Sequence, residues 1–174
     1  MKKFNLLFLL TAALLLLGSC GKKTVKEPDE ILIDGKVIKY SYTLDQVEAE
    51  LGDGIPGDFI TSRSNTAYEY ANDLTILYND EDKIRLIHIA DDDIMTYKGI
   101  RVGDNIEKVF DSFEYVMDAE IYYNVYFYGD SEFDANDKDK RLHSDWVTIS
   151  YQTDEDGEIE IITIMDNEYA ILFK

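Results

Sequence analysis

The chain has 174 residues, of which 36 are acidic, 17 are lysine or arginine and two are histidine, for a net charge of −19. A chain this acidic lacks the basic face that phosphate contacts need, which excludes nucleic acid as a partner. Apolar residues make up 45% of the sequence and aromatic residues 13%, enough to build a core and to exclude a disordered chain.

Lys2 and Lys3 precede an apolar run over residues 4–17. About 14 residues fall short of the ~20 that a helix needs to cross the hydrocarbon core. The order of charged, apolar and small residues is that of a secretory signal. Leu17-Gly18-Ser19-Cys20 closes the run with the single cysteine of the chain, so no intrachain disulfide can form. This quartet resembles the lipobox of bacterial lipoproteins. The resemblance implies that residues 1–19 are removed and that Cys20 receives diacylglycerol and palmitate. The mature chain would then be held at the extracytoplasmic face of the cell membrane, since two or more acyl chains give stable anchoring where one does not. Lys2 and Lys3 leave with the signal, so the remaining chain is more acidic still. Its field repels an anionic leaflet and favours a basic protein surface or divalent cations.

Residues 20–30 are polar and aperiodic beyond the cysteine and read as a tether. Asp34-Gly35 between Ile31-Leu32-Ile33 and Val37-Ile38-Lys39-Tyr40 is a hairpin signal. Thr43 with Gln46 has the capping-box form. Leu44, Val47 and Leu51 share one helical face and Gly52 stands at a stop, which predicts a helix over 44–51. Residues 52–57, with Pro56, read as a loop. Strands are predicted over 67–70, 74–78 and 84–90 from tyrosine and β-branched residues. In the second half Asp104 reads as an N-cap with Glu107 at the capping-box position. Ile106, Val109, Phe110 and Phe113 form the apolar stripe of that helix. Strands follow over 121–128, 147–151 and 159–165, with 129–145 a polar insertion between the first two.

The halves agree in order. Leu44, Val47 and Leu51 correspond to Ile106, Val109 and Phe113; 74–78 corresponds to 147–151, and 84–89 to 159–164. In the last two segments the apolar residues change parity midway, which predicts a bulge or a strand covered on both faces. The expected fold is therefore α+β, with two tandem repeats over 31–96 and 97–174. Each would be a short helix followed by an antiparallel β-meander, and the two would share one core because neither is large enough alone. The run Gly99-Ile100-Arg101-Val102-Gly103-Asp104-Asn105-Ile106-Glu107-Lys108-Val109 is similar to repeat starts in small Gram-positive envelope proteins. Those resemble the tandem helix-plus-sheet fold of β-lactamase inhibitory protein and, more distantly, the small outer-membrane assembly lipoproteins. The resemblance implies a protein-binding scaffold without catalysis. No functional residue is carried over, and without disulfides in the mature chain β-lactamase inhibition is not implied.

Motifs for chemistry are sparse. His88 falls in a strand and His143 in the polar insertion, with no ligand spacing between them. No nucleophile elbow, P-loop or His-Glu-x-x-His occurs, so no catalytic residue, cofactor or metal site is assigned. Calcium is the weaker alternative at Asp154-Glu155-Asp156-Gly157-Glu158. An EF-hand reading would put Gln152 first and Thr163 twelfth, in place of the bidentate Glu, whereas Asp-Gly between strands is a common turn. Asp134, Asn136, Asp137 and Asp139 are interleaved with Lys138, Lys140 and Arg141 and read as a solvated loop. The best candidate contact surface is the aromatic strand over 122–128. Alternation puts Tyr122, Tyr126 and Tyr128 on one face with Asn124, and Tyr123, Val125 and Phe127 on the other. The tyrosine face is either a contact surface or is itself covered by helices or by 129–145. The expected function is a membrane-anchored, extracytoplasmic, non-catalytic protein-binding module with an envelope or secreted protein as partner. A cation- or glycan-binding module is the alternative.

Overall fold

The computed structural model of the chain describes residues 24–57, 66–129, 131–134, 136, 146–166 and 170. Cys20 and His143 lie outside these residues. The chain begins with a hairpin, β1 (Glu30–Ile33) and β2 (Lys36–Lys39), paired Ile33 to Lys36 across Asp34 and Gly35. Both turn residues have positive φ, 50° and 72°, the conformation a two-residue hairpin turn needs.

Helix α1 (Leu44–Leu51) follows, with Val47 fully buried. Thr43 N donates to Gln46 Oε1 at 2.9 Å, so the capping box closes on the side of its glutamine. Gly52, at φ 90°, ends the helix. Next come β3 (Ile55–Gly57), β4 (Thr66–Tyr70), β5 (Leu74–Tyr78) and β6 (Ile84–Ile89). A 3-10 turn (Tyr97–Gly99) leads to α2 (Glu107–Ser112). The chain then forms β7 (Met117–Ala119), β8 (Tyr122–Tyr128), β9 (Ser131–Phe133), β10 (Trp146–Thr153) and β11 (Ile159–Asp166).

Strands β3 to β11 form one antiparallel sheet of nine, ordered β3-β4-β5-β6-β11-β10-β8-β7, with β9 also paired to β8. This corrects the expected fold class. The chain is a mostly antiparallel β protein, not an α+β arrangement of tandem helix-plus-meander repeats. The helical signals are real but short, eight and six residues, barely two turns each. Phe113, expected in the second helical stripe, is already extended at φ −128°, ψ 142°. The strands of the two halves are laid side by side in one sheet, with β6 against β11.

The parity changes have a local cause. Pairing skips Arg85 between Leu77 and Tyr78, and Glu160 between Gln152 and Thr153, so each strand carries a bulge near its start. Both faces of the central strands are also covered. Ile87, Ile89, Ile162 and Ile164 join the main core, whereas Leu86 and Met165 join a second cluster on the other face.

The main core lies between the sheet and a layer made of the β1–β2 hairpin, α1 and α2, which contribute Ile31, Ile33, Ile38, Val47, Ile106 and Val109. Tyr151 from β10 is fully buried there, and among the described residues no group meets its hydroxyl in good hydrogen-bond geometry, the nearest candidate being the Thr96 side chain. Burial pushes its pKa up. The neighbouring Thr96 hydroxyl donates to Ile100 O at 2.8 Å. An enclosed hydroxyl without a partner carries its desolvation penalty uncompensated, so Tyr151→Phe should stabilise the protein by about 1 kcal/mol. Urea denaturation measures this, and a loss of stability instead would mean that the hydroxyl is bonded in solution.

Candidate functional site

Strand β8 carries the aromatic run. One side of it pairs with β10 along its whole length, Tyr122 to Gln152 and Tyr128 to Trp146. The other side is covered by two short collinear strands. β7 pairs with Tyr122, Tyr123 and Asn124, and β9 pairs with Tyr126, Phe127 and Tyr128. Three-residue edge strands leave little ladder for another chain to extend. The opposite edge, β3, is as short and contains Pro56.

Alternation along β8 sends Val125 and Phe127 into the main core. The predicted tyrosine face divides. Tyr122 and Tyr128 are 45% and 60% exposed, but Tyr126 between them is 5% exposed. The Tyr126 ring lies 5.8 Å from that of Phe133, and Met117 packs against the pair. The cover therefore comes from β7 and β9, strands too short to give a sequence signal of their own. A turn signal was present: Gly129, at φ 59°, opens the β8–β9 hairpin. A shallow cleft of about 180 Å³ lies where the two edge strands meet, lined by Glu114, Tyr115, Val116, Met117, Asp134 and Asn136.

Two further exposed apolar residues lie outside the predicted tyrosine face. The β7–β8 turn consists of Glu120, at φ 65°, and Ile121, which is 44% exposed. Phe110, expected in the apolar stripe of α2, is 40% exposed because the helix ends two residues later. Its ring meets Tyr123 edge to face at 5.6 Å. Phe110 and Tyr123 therefore lie on the helix-covered face of β8, whereas Tyr122, by alternation, lies on the other face, and Ile121 stands in the turn at the start of the strand.

The start of α2 is built differently from its predicted cap. Asn105 Oδ1 accepts from Glu107 N at 3.0 Å. Asp104 instead accepts from Arg101 N at 2.8 Å and Lys108 Nζ at 2.7 Å. Gly103 N and Ile106 N donate to Ile159 O and Gly157 O, tying this turn to the β10–β11 connection. In that connection Asp154 Oδ1 accepts from Asp156 N at 2.9 Å and Glu158 N at 2.8 Å. Gly157 has φ 80°. This is turn geometry, with one carboxylate oxygen bonded within the loop. Among the described residues Asp91, Asp92 and Asp93 bring carboxylate oxygens within 4.8 Å of one another, and Asp93 N donates to Asp91 Oδ1.

The outer face of the sheet carries two contrasting rows. Ala67, Leu77, Leu86, Met165, Thr148, Tyr126 and Phe133 are successive cross-strand neighbours and all are buried. Ala170 packs on the first four. The adjacent row is Glu69, Thr75, His88, Thr163, Ser150 and Asn124, with Glu69 exposed and the others half-buried.

Burial lowers the pKa of His88. The unfolded chain then binds a proton more readily than the folded one, so stability should fall as pH drops through about 6.5, the unperturbed histidine value. His88→Gln should flatten that part of the stability–pH curve. An unchanged slope would assign it to other groups.

No protein-family model and no curated protein matches this chain. Among solved structures it is similar to an extracellular protein containing an SCP domain from Bacillus anthracis str. Ames, with a TM-score of 0.51 and 12% identity. The match covers 88% of this chain and 51% of that one, so the chain spans about half the length of that protein. At this identity the likeness concerns the fold. Among the described residues no helix is long and apolar enough to cross a membrane.

Proposed function

We propose that this chain is an extracytoplasmic module, anchored through lipid on Cys20 and without catalytic activity of its own, that holds an envelope or secreted protein against the β7–β8 corner. One observation carries the reading: Ile121 and Tyr122, consecutive at the start of β8, are 44% and 45% exposed, with Phe110, 40% exposed, packed on Tyr123 at the other face of the same strand end. Exposed aromatic and aliphatic groups grouped in this way mark contact sites, whereas scattered ones do not. The lipobox-like quartet supports the anchor, and the fold is shared with a protein described as extracellular.

The test is photocrosslinking in cells from a reactive residue placed at position 122, with position 55 on the far edge as the control. Ile55 is 70% exposed, so both sites are open to solvent. A discrete adduct from 122 that is missing from 55 supports the reading, and equal labelling from both would overturn it. Cys20→Ser should release the protein from the membrane fraction and abolish lipid labelling.

A second reading, glycan binding, is favoured by the outer-face row. Thr75, His88, Thr163, Ser150 and Asn124 carry no formal charge across five strands at neutral pH, in a chain with 30% charged residues. Retention on immobilised cell-wall polysaccharide that is lost in Thr163→Glu would move the assignment to this face.

A further inference from the structure

We propose that residues 167–174, which follow β11, fold back over the outer face of the sheet and close an apolar strip on β4, β5, β6 and β11. The strip is then a docking groove occupied by the chain's own segment. It is a different surface from the β7–β8 corner and does not depend on the reading given there.

Ala67, Leu77, Leu86 and Met165 form the strip. They are cross-strand neighbours on four adjacent strands and are 4%, 0%, 1% and 5% exposed. The hairpin, α1 and α2 pack on the opposite face, and none of their described residues joins this cluster. The strands themselves do not account for the burial. On the same face of the same strands the next row is Glu69, Thr75, His88 and Thr163, with Glu69 exposed and the others half-buried. A bare sheet face would leave both rows similarly open. A cover therefore lies on the apolar row and stops before the polar one.

The packing of Ala170 against the cluster identifies the part of the chain that supplies the cover. β11 ends at Asp166, so four residues carry the chain from the end of the sheet back onto the row of Met165. One methyl group cannot fill the strip, because four strands spaced at about 4.8 Å make it about 14 Å wide. The residues beside Ala170 have the composition to fill the rest: Tyr169, Ile171, Leu172 and Phe173 are apolar, between Glu168 and Lys174. Left open, the strip would be a contiguous apolar patch of the kind that draws another protein or a second copy. With the segment in place, that contact is made within the chain.

Two measurements on the lipidated full chain in phosphatidylcholine nanodiscs test the proposal. Photo-leucine at position 172, close to the native side chain in shape, should insert on irradiation into peptides carrying β5, β6 or β11 of the same molecule, read by mass spectrometry. Insertion only elsewhere in the chain, or a crosslinked dimer, would overturn the proposal. The second measurement is oxidation by hydrogen peroxide, with Met165 reporting the strip and Met117, packed on Tyr126 and Phe133, as internal control. Ile171→Asp with Leu172→Asp and Phe173→Asp should speed sulfoxide formation at Met165 at least about tenfold and leave Met117 within about twofold of the wild type, since oxidation follows exposure. A peptide of residues 167–174 added to that variant should restore the protection, and the same peptide with the three aspartates should not. Unchanged protection of Met165 in the variant would overturn the proposal and assign the cover to residues 58–65, which join β3 to β4 beside Ala67. Equal acceleration at Met117 would also overturn it, because the segment would then hold the whole sheet rather than cover one strip. The photo-leucine chain keeps every other side chain native, so its result decides the question even where the triple variant fails to fold.

Discussion

Arg85→Met should destabilise the protein by roughly 3–5 kcal/mol, the range expected when one partner of a buried ion pair is removed. Asp166, at the end of β11, is 4% exposed. Arg85 Nε contacts its Oδ2 at 3.1 Å, with the two side chains 21% and 6% exposed. Tyr40, just past β2, completes the group: its hydroxyl donates to Arg85 O at 2.7 Å and accepts from Asp166 N at 3.0 Å. Burial, and then the Asp166 charge, raise the Tyr40 pKa well above its ordinary value, so the hydroxyl keeps its proton. The group pins the hairpin layer to the two central strands. Without the guanidinium, the buried Asp166 carboxylate loses the cation it meets at 3.1 Å, which disfavours its charged form in the folded protein. The deficit should therefore shrink as pH falls through the carboxylate range, where that charge is neutralised. Asp166→Leu added to Arg85→Met should recover most of the loss, because the buried charge has gone. Urea denaturation at neutral pH measures all three. A deficit below about 1 kcal/mol for the single variant, the scale of a solvent-exposed pair, would show that Asp166 is hydrated after all.

How much of this was legible in the sequence depended on element length. The Asp34-Gly35 hairpin, the helix over 44–51 and the long strands carry several residues of pattern each, and they stand where the pattern placed them. Strands β3, β7 and β9 have three residues each, too few for alternation to register. Two of them, β7 and β9, also decide which tyrosines of β8 stay exposed. Tyr126 alternates as correctly as Tyr122, yet Phe133 and Met117 close over it. Phe110 fits a helical stripe, but an apolar residue reaches the core only if the helix continues, and α2 stops at Ser112. The fold class failed for a related reason. Local signals report that a helix is near, though at α2 the predicted cap Asp104 lies ahead of the true start, and they do not report how soon a helix yields to extended chain; the long-range pairing of β6 with β11 has no local signal.

That pairing carries the second large effect. Ile164→Ala should cost about 2–5 kcal/mol, the range for truncating a fully buried isoleucine. Ile164 is 0% exposed and lies in register between Ile87 of β6 and Ile149 of β10. It therefore fills the seam where residues before 97 meet residues after it. The main core runs through this seam without a break, taking Ile31, Leu74 and Ile76 from one side and Phe127, Ile149 and Tyr151 from the other. If the seam is the centre of one cooperative unit, weakening it lowers both halves together. The single tryptophan, Trp146 on β10, reports the second half by fluorescence. Hydrogen exchange of the β4 and β5 amides reports the first. In the wild type and in Ile164→Ala the two reports should give one stability, shifted by the same amount. Protection of β4 and β5 that outlasts the Trp146 transition would mean that the halves open separately, as local unfolding units. In that case the β6–β11 pairing would join two independently folding sheets.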